Sequence, residues 1–140
     1  MLYVDTSVLV ALCTHEAKSA AVLQWYSSCT DELVSAAWCV TEFASAMGLK
    51  QRTGQLNAEQ AQAVWMQFER VCANDLQLLA VETMSFHRAA MLTLQSATGL
   101  RAGDALHLAC AMEAKVKAMV TLDAVLAKNA QKHKIRLITV

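Results

Sequence analysis

The first twelve residues, MLYVDTSVLVAL (1–12), put a charge where a core should form. Leu2, Tyr3 and Val4 make one apolar run, Val8 to Leu12 make another, and Asp5 sits between them. Burying an unpaired carboxylate is costly or forces its protonation. Asp5 must therefore cap a helix, form half of a buried pair, or bind something positive. Residues 2–5 are too short and too apolar for anything but a buried strand, and the recurrence of such strands decides the fold.

Four more brief apolar runs read as strands: Leu33–Ala36, Leu76–Val81, Ala118–Leu122 and Ile135–Val140. Helical spacing fills the gaps between them. It runs from Glu16 to Ser28, from Ala37 to about Arg52, and over residues 58–73. In the last of these, Ala61, Val64, Trp65, Phe68, Val71 and Cys72 mark one face. Asn57 and Gln60 predict a capping box at its start. Thr83–Ala97, closed by Gly99, then Gly103–Val116 and Ala124–Lys132 complete the helices. Almost wholly apolar strands alternating with helices predict a five-stranded, mainly parallel sheet covered on both faces, within one α/β domain over residues 1–140.

Composition excludes several classes. The chain has 140 residues, 56% of them hydrophobic, with no proline, which favours a packed domain over disorder. Twelve Lys and Arg balance twelve Asp and Glu, so overall charge draws neither nucleic acid nor membrane, and any such partner needs a local patch. Five scattered cysteines without a C-x-x-C pair argue against a disulfide framework or a zinc ribbon and for buried thiols in a reducing compartment. No apolar stretch is long enough to span a bilayer, and Asp5 spoils the N-terminus as a signal peptide. A cytoplasmic protein is the expectation.

In open α/β sheets, sites lie beyond the C-terminal strand ends. Asp5 ends the first strand there, and Asp123 follows Val120-Thr121-Leu122. Either could instead cap the helix that follows. Glu42, in SAAWCVTEFASAMGL, has Trp38, Ser45, Ala46 and Leu49 as helical neighbours and no Lys or Arg within a turn. Asp104, in LRAGDALHLACAME, sits where an acid would naturally cap a helix. His107, on the same helix, could support a neighbouring acid, but a histidine among apolar residues is more often satisfied in the core. His15, His87 and His133 show no ligand spacing.

Collected on one sheet edge, these acids would be unstable alone. Two carboxylates about 5 Å apart repel by roughly 3 kcal/mol at an effective dielectric near 20. A divalent ion relieves that repulsion, and all-oxygen ligands suit Mg²⁺ or Mn²⁺ better than zinc. Such ions serve phosphodiester chemistry.

Together VDTSVLVAL, VTEFASAM, GDALHLA and VTLD resemble the PIN domain, and specifically the VapC toxins of bacterial toxin–antitoxin pairs. The resemblance spans the whole chain, with the four motifs in the family's order. It implies a PIN-like three-layer α/β/α fold around a five-stranded sheet. It also implies an acidic pocket of Asp5, Glu42, Asp104 and Asp123. Asp5 and Asp104 would be the main Mg²⁺ ligands, with Mn²⁺ as a substitute, and Asp123 and Glu42 would bind directly or through water. Thr6 and Thr121 would orient ligands or water. The implied activity is hydrolysis of an RNA phosphodiester, by a homodimer silenced by a cognate antitoxin.

Two other enzyme classes fit worse. A haloacid-dehalogenase-type phosphatase wants a second Asp where Ser7 stands, and a receiver domain wants adjacent early acids. A PIN-like binding module without catalysis is the non-enzyme alternative, and loss of one acid would have favoured it. Lys128, Lys132, Lys134 and Arg136 form the densest basic group, which reads as a solvated helix end.

Overall fold

The computed structural model describes residues 1–140. In chain order the elements are β1 (Leu2–Val4), α1 (Thr6–Cys13), α2 (Ser19–Ser28), β2 (Leu33–Ala36), α3 (Trp38–Arg52), α4 (Ala58–Asn74), β3 (Leu76–Leu79), α5 (Thr83–Leu94), a 3₁₀ turn (Ser96–Thr98), α6 (Ala102–Glu113), β4 (Ala118–Val120), α7 (Ala124–Lys132) and β5 (Arg136–Ile138). The sheet runs β3-β2-β1-β4-β5, and all four pairings are parallel. The α/β expectation therefore holds, and β1 is the central strand.

Alternation along the strands divides the interior into two layers. Leu2, Val4, Ala118 and Val120 pack on one face with residues of α1 to α4, including Val8, Phe43 and Phe68. Tyr3, Val34 and Met119 pack on the other face with α5 to α7. Phe43 and Phe68 stack with ring centroids 4.0 Å apart and join α3 to α4. The striped face of α4 is thus core, and its start carries the expected Asn57–Gln60 capping box, formed in both directions.

The second apolar run is the helix α1, the one that Asp5 precedes as a possible cap; it is buried on most sides and lacks the polar face that marks a surface helix. Two local readings are corrected. The segment after Gln95 leaves α5 for the 3₁₀ turn, and Gly99 closes it with φ +68. Strands β3, β4 and β5 end earlier than their apolar runs, since Val81, Leu122 and Val140 lie beyond the ladders.

Candidate functional site: an acidic edge held by a buried histidine

Asp5 follows β1 and occupies the N-cap position of α1, yet its side chain makes no cap hydrogen bond. Its residue is only 5% exposed. Oδ2 accepts hydrogen bonds from the hydroxyls of Ser7 and Thr121, each at 2.6 Å. Oδ1 faces Nε2 of His107 at 3.7 Å. Asp5 is thus held by hydroxyls, not by a strong base, and one oxygen takes no hydrogen bond from the protein.

Thr121 ties the next acid to the first. Its hydroxyl, which donates to Asp5, accepts from the backbone N–H of Asp123 at 3.0 Å. Asp123 caps α7 through Oδ1, which accepts from the N–H of Leu126 at 2.7 Å. The capping reading of Asp123 is therefore correct, and only Oδ2 is left for other partners.

Glu42 finds its partner across the fold. Nε2 of His107, from α6, hydrogen-bonds Oε1, and the Thr6 hydroxyl donates to the same oxygen at 2.6 Å. Burial pushes the Glu42 carboxyl up, but the His107 hydrogen bond, the His107 charge and Thr6 outweigh it, leaving a net shift below the ordinary value. Thr6 therefore orients Glu42 within the fold.

His107 is 1% exposed. Nδ1 lies 2.8 Å from the Tyr3 hydroxyl, which also accepts from the N–H of Ala36 at 3.0 Å. The Tyr3 proton has no acceptor other than Nδ1, so the neutral ring carries its hydrogen on Nε2, aimed at Glu42. Burial pushes His107 down, while the Glu42 hydrogen bond and the charges of Asp5, Glu42 and Asp104 push it up and prevail. The histidine is satisfied in the core and at the same time buttresses an acid.

Asp104 lies in the first turn of α6, where its charge favours the helix dipole, but Arg101 holds the N-cap position. Asp104 is therefore not the N-cap residue, the alternative to a ligand role. Burial first, then repulsion from Asp123, raises the Asp104 carboxyl, and Asp5 adds to the effect. Arg101 offsets this only in part, at 3.7 Å with an 84% exposed side chain. Beside Asp104, Gly103 abuts Glu42: a Cβ there would stand 2.7 Å from Oε2 and 3.1 Å from the Trp38 indole nitrogen. That nitrogen is buried without a hydrogen-bond partner. Trp38, Glu42, Ser45, Arg101 and Asp104 line an open cleft of about 500 Å³.

All four acids thus lie at one edge of the sheet: Thr121 links Asp5 to Asp123, Thr6 and His107 hold Glu42, and Asp104 shares the cleft with Glu42 and feels the charges of Asp123 and Asp5. No three carboxylates, histidines or thiols stand close enough to enclose an ion by themselves. A cation here would take few protein oxygens and keep much of its water, which is the habit of Mg²⁺. The oxygen-only acids, the unsatisfied oxygens of Asp5 and Asp123, and the raised Asp104 carboxyl fit such an ion.

A family model described as PIN domain matches residues 2–132. Three solved structures share the fold at low identity. Mycobacterium tuberculosis VapC20, described as a sarcin–ricin loop cleaving toxin, has a TM-score of 0.75 at 15% identity, covering 92% of this chain and 95% of its own. FitAcB from Neisseria gonorrhoeae has 0.73 at 16%, covering 99% and 97%. VapBC2 from Rickettsia felis, described as bound to a DNA fragment from its promoter, has 0.64 at 14%, covering 99% and 98%. No curated protein matches the sequence.

Proposed function

The chain belongs to the PIN-domain family, and on that premise we propose that it is a Mg²⁺-dependent endoribonuclease, the toxin of a type II toxin–antitoxin pair. The observation that carries the reading is the meeting of Asp5, Glu42, Asp104 and Asp123 at one sheet edge with Arg101 as the nearest arginine or lysine partner. Acids so placed are poor company for a phosphodiester unless a cation joins them.

Asp5 and Asp104 are the main ligands in this reading, with Asp123 reaching the ion through a bound water. When bound, Mg²⁺ (or Mn²⁺) would lower the pKa of a coordinated water and neutralise the phosphate. Ser7 and Thr121 fix the Asp5 carboxylate so that its free oxygen points one way. Glu42 stays ionised through Thr6 and His107, and so can orient a water or accept its proton at Oε2. Thr121 holds Asp5 and Asp123 in fixed relation by donating to one and accepting from the other.

RNA is the proposed substrate class, in keeping with the description of VapC20. An unpaired or looped segment suits an open acidic edge better than a duplex groove. The proposed protein partners are a cognate antitoxin and a second copy of the chain. Dimerisation draws support from α5, where Met84, Phe86, Met91 and Leu94 are exposed and Met84, Met91 and Leu94 share one stripe. No helix is long and apolar enough to cross a membrane, and a cytoplasmic site of action belongs to the same proposal.

The deciding experiment expresses this chain alone in a bacterial host beside Asp5→Asn, then maps RNA ends. Growth arrest and new ends only with the unchanged chain are expected. New ends that persist with Asp5→Asn, or purified activity indifferent to a chelator, would overturn the reading.

A further inference from the structure

At the opposite end of the sheet from the acids, the fold assembles a basic face that neither the acid chemistry nor the core requires. Residues 114–140 hold six cations against Asp123 alone, a local charge of +5 in a chain whose total is zero. The loops entering β4 and β5 lie side by side, because these strands are parallel neighbours. The backbone N–H of Arg136 donates to the carbonyl of Lys117 at 2.9 Å. Lys115, Lys117 and Arg136 line a cleft of about 400 Å³ with Asp31 as its one acid. Lys115, Lys117, Lys134 and Arg136 are all exposed, and none belongs to an ion pair.

Backbone conformation supplies a second, independent sign. Lys115 and Lys134 follow the ends of α6 and α7 with φ of 54 and 62, and they are the only non-glycine residues in the left-handed region. That position after a helix is ordinarily glycine's, because a Cβ is strained there. The chain keeps lysine at both places, against the local preference, on the face where charge accumulates. Strain retained at a surface position points to a use for the side chain.

We infer that this face, built from Lys115, Lys117, Lys134 and Arg136, grips the phosphate backbone of a nucleic acid strand. The inference extends the ribonuclease reading, on which it rests for choosing RNA over an acidic protein. Lys117 precedes Thr121 by four residues of extended chain, roughly 13 Å at about 3.3 Å per residue. A strand bound at the acidic edge can therefore pass beside β5, the outer strand, and reach the basic face.

The test measures binding, not cleavage. Fluorescent twenty-nucleotide polyuridylate is titrated in chelator at rising salt, with polydeoxyuridylate and polyglutamate as parallel arms. The variant is Lys115→Gly with Lys134→Gly, which removes two charges while relieving the strained backbone. Each phosphate contact on a single strand contributes about −0.7 to the slope of log K against log salt. Four contacts from this face therefore predict roughly a 50-fold loss of affinity between 50 and 200 mM salt, and two predict roughly 7-fold. The expected result is a slope shallower by about 1.4 with a thermal midpoint no lower than wild type. The deoxy arm should bind comparably, since phosphate is the shared group. An unchanged slope would overturn the inference, as would binding to polyglutamate without binding to either nucleic acid. A protein that binds as expected but cuts nothing when Mg²⁺ is restored would refute the ribonuclease reading and leave the basic face standing.

Discussion

The hydroxyl of Tyr3 stands 2.8 Å from Nδ1 of His107, a partner 104 residues away, and both side chains are buried. This contact joins the central strand to α6 and, through Nε2, braces Glu42 on α3. Tyr3→Phe keeps the ring but leaves the Ala36 N–H and Nδ1 without their partner. Stranding buried polar groups costs about 1–3 kcal/mol. The urea midpoint should fall accordingly, and Glu42-dependent cleavage should fall with it. An unchanged midpoint would show that the hydroxyl carries no such load.

Gly103 is the close-approach point between α6 and α3. In Gly103→Ala the new methyl would meet Glu42 Oε2 at 2.7 Å and the Trp38 nitrogen at 3.1 Å. Glu42 cannot swing aside freely, because Thr6 and His107 hold its other oxygen. Overpacking of this kind costs about 1–3 kcal/mol. Cleavage should drop more than the stability loss explains, since the displaced atom belongs to the proposed site. A variant that melts lower yet cuts at the wild-type rate would contradict that.

The legible and illegible parts of this fold separate by range. Capping at Asn57 and the end-on position of Asp123 follow from neighbours within one helical turn, so the sequence alone exposes them. The PIN resemblance and the alternation of strands and helices likewise rest on order along the chain. Glu42 has no visible partner in the sequence because no Lys or Arg lies within a turn of it on its own helix, while its actual partner is 65 residues distant. The basic face was only half visible for the same reason. Lys115 and Lys117 join Lys134 and Arg136 through the β4–β5 pairing, which no local pattern announces. Helix α1 is legible only as the element that Asp5 would cap, because a helix buried nearly all round shows no periodic polar face.

The capping box itself gives a stability test remote from the site. Asn57 accepts from the Gln60 N–H at 2.8 Å, and the Gln60 side chain returns the bond to the Asn57 N–H at 2.9 Å. Asn57→Ala should cost about 0.5–2 kcal/mol, with RNA cleavage unaltered once the protein is folded. Loss of activity at full folding would mean that α4 takes part in the chemistry.

Two thiols set an alkaline limit. Burial, first among the causes, pushes Cys13 and Cys39 each up to about 12 from an ordinary 9.0. The native state keeps both protons where the unfolded chain releases them. Their contribution is thus fully present below pH 9.0 and is lost as pH rises toward about 12. Native protein at pH 8 should leave both cysteines unalkylated by iodoacetamide. The urea midpoint should fall from pH 8.5 to 10.5, and fall less steeply in Cys13→Ala with Cys39→Ala. Equal pH slopes would exclude the thiols as the cause.

Asp104 should reveal the cation without any turnover. Its carboxylate is disfavoured by burial and by the charges of Asp123 and Asp5, and Arg101 is too exposed to balance them. Asp104→Asn removes the repulsion, so in chelator at pH 7 it should melt higher than wild type. Mg²⁺ should then act in the opposite sense. An ion bound only by the native state stabilises it by about 2.7 kcal/mol at a hundredfold excess over Kd. Wild type should gain that increment, whereas Asp104→Asn, lacking a proposed ligand, should gain less. Equal Mg²⁺-induced shifts in the two proteins would place the ion elsewhere, and a lower midpoint for Asp104→Asn in chelator would mean that Arg101 more than compensates the acids.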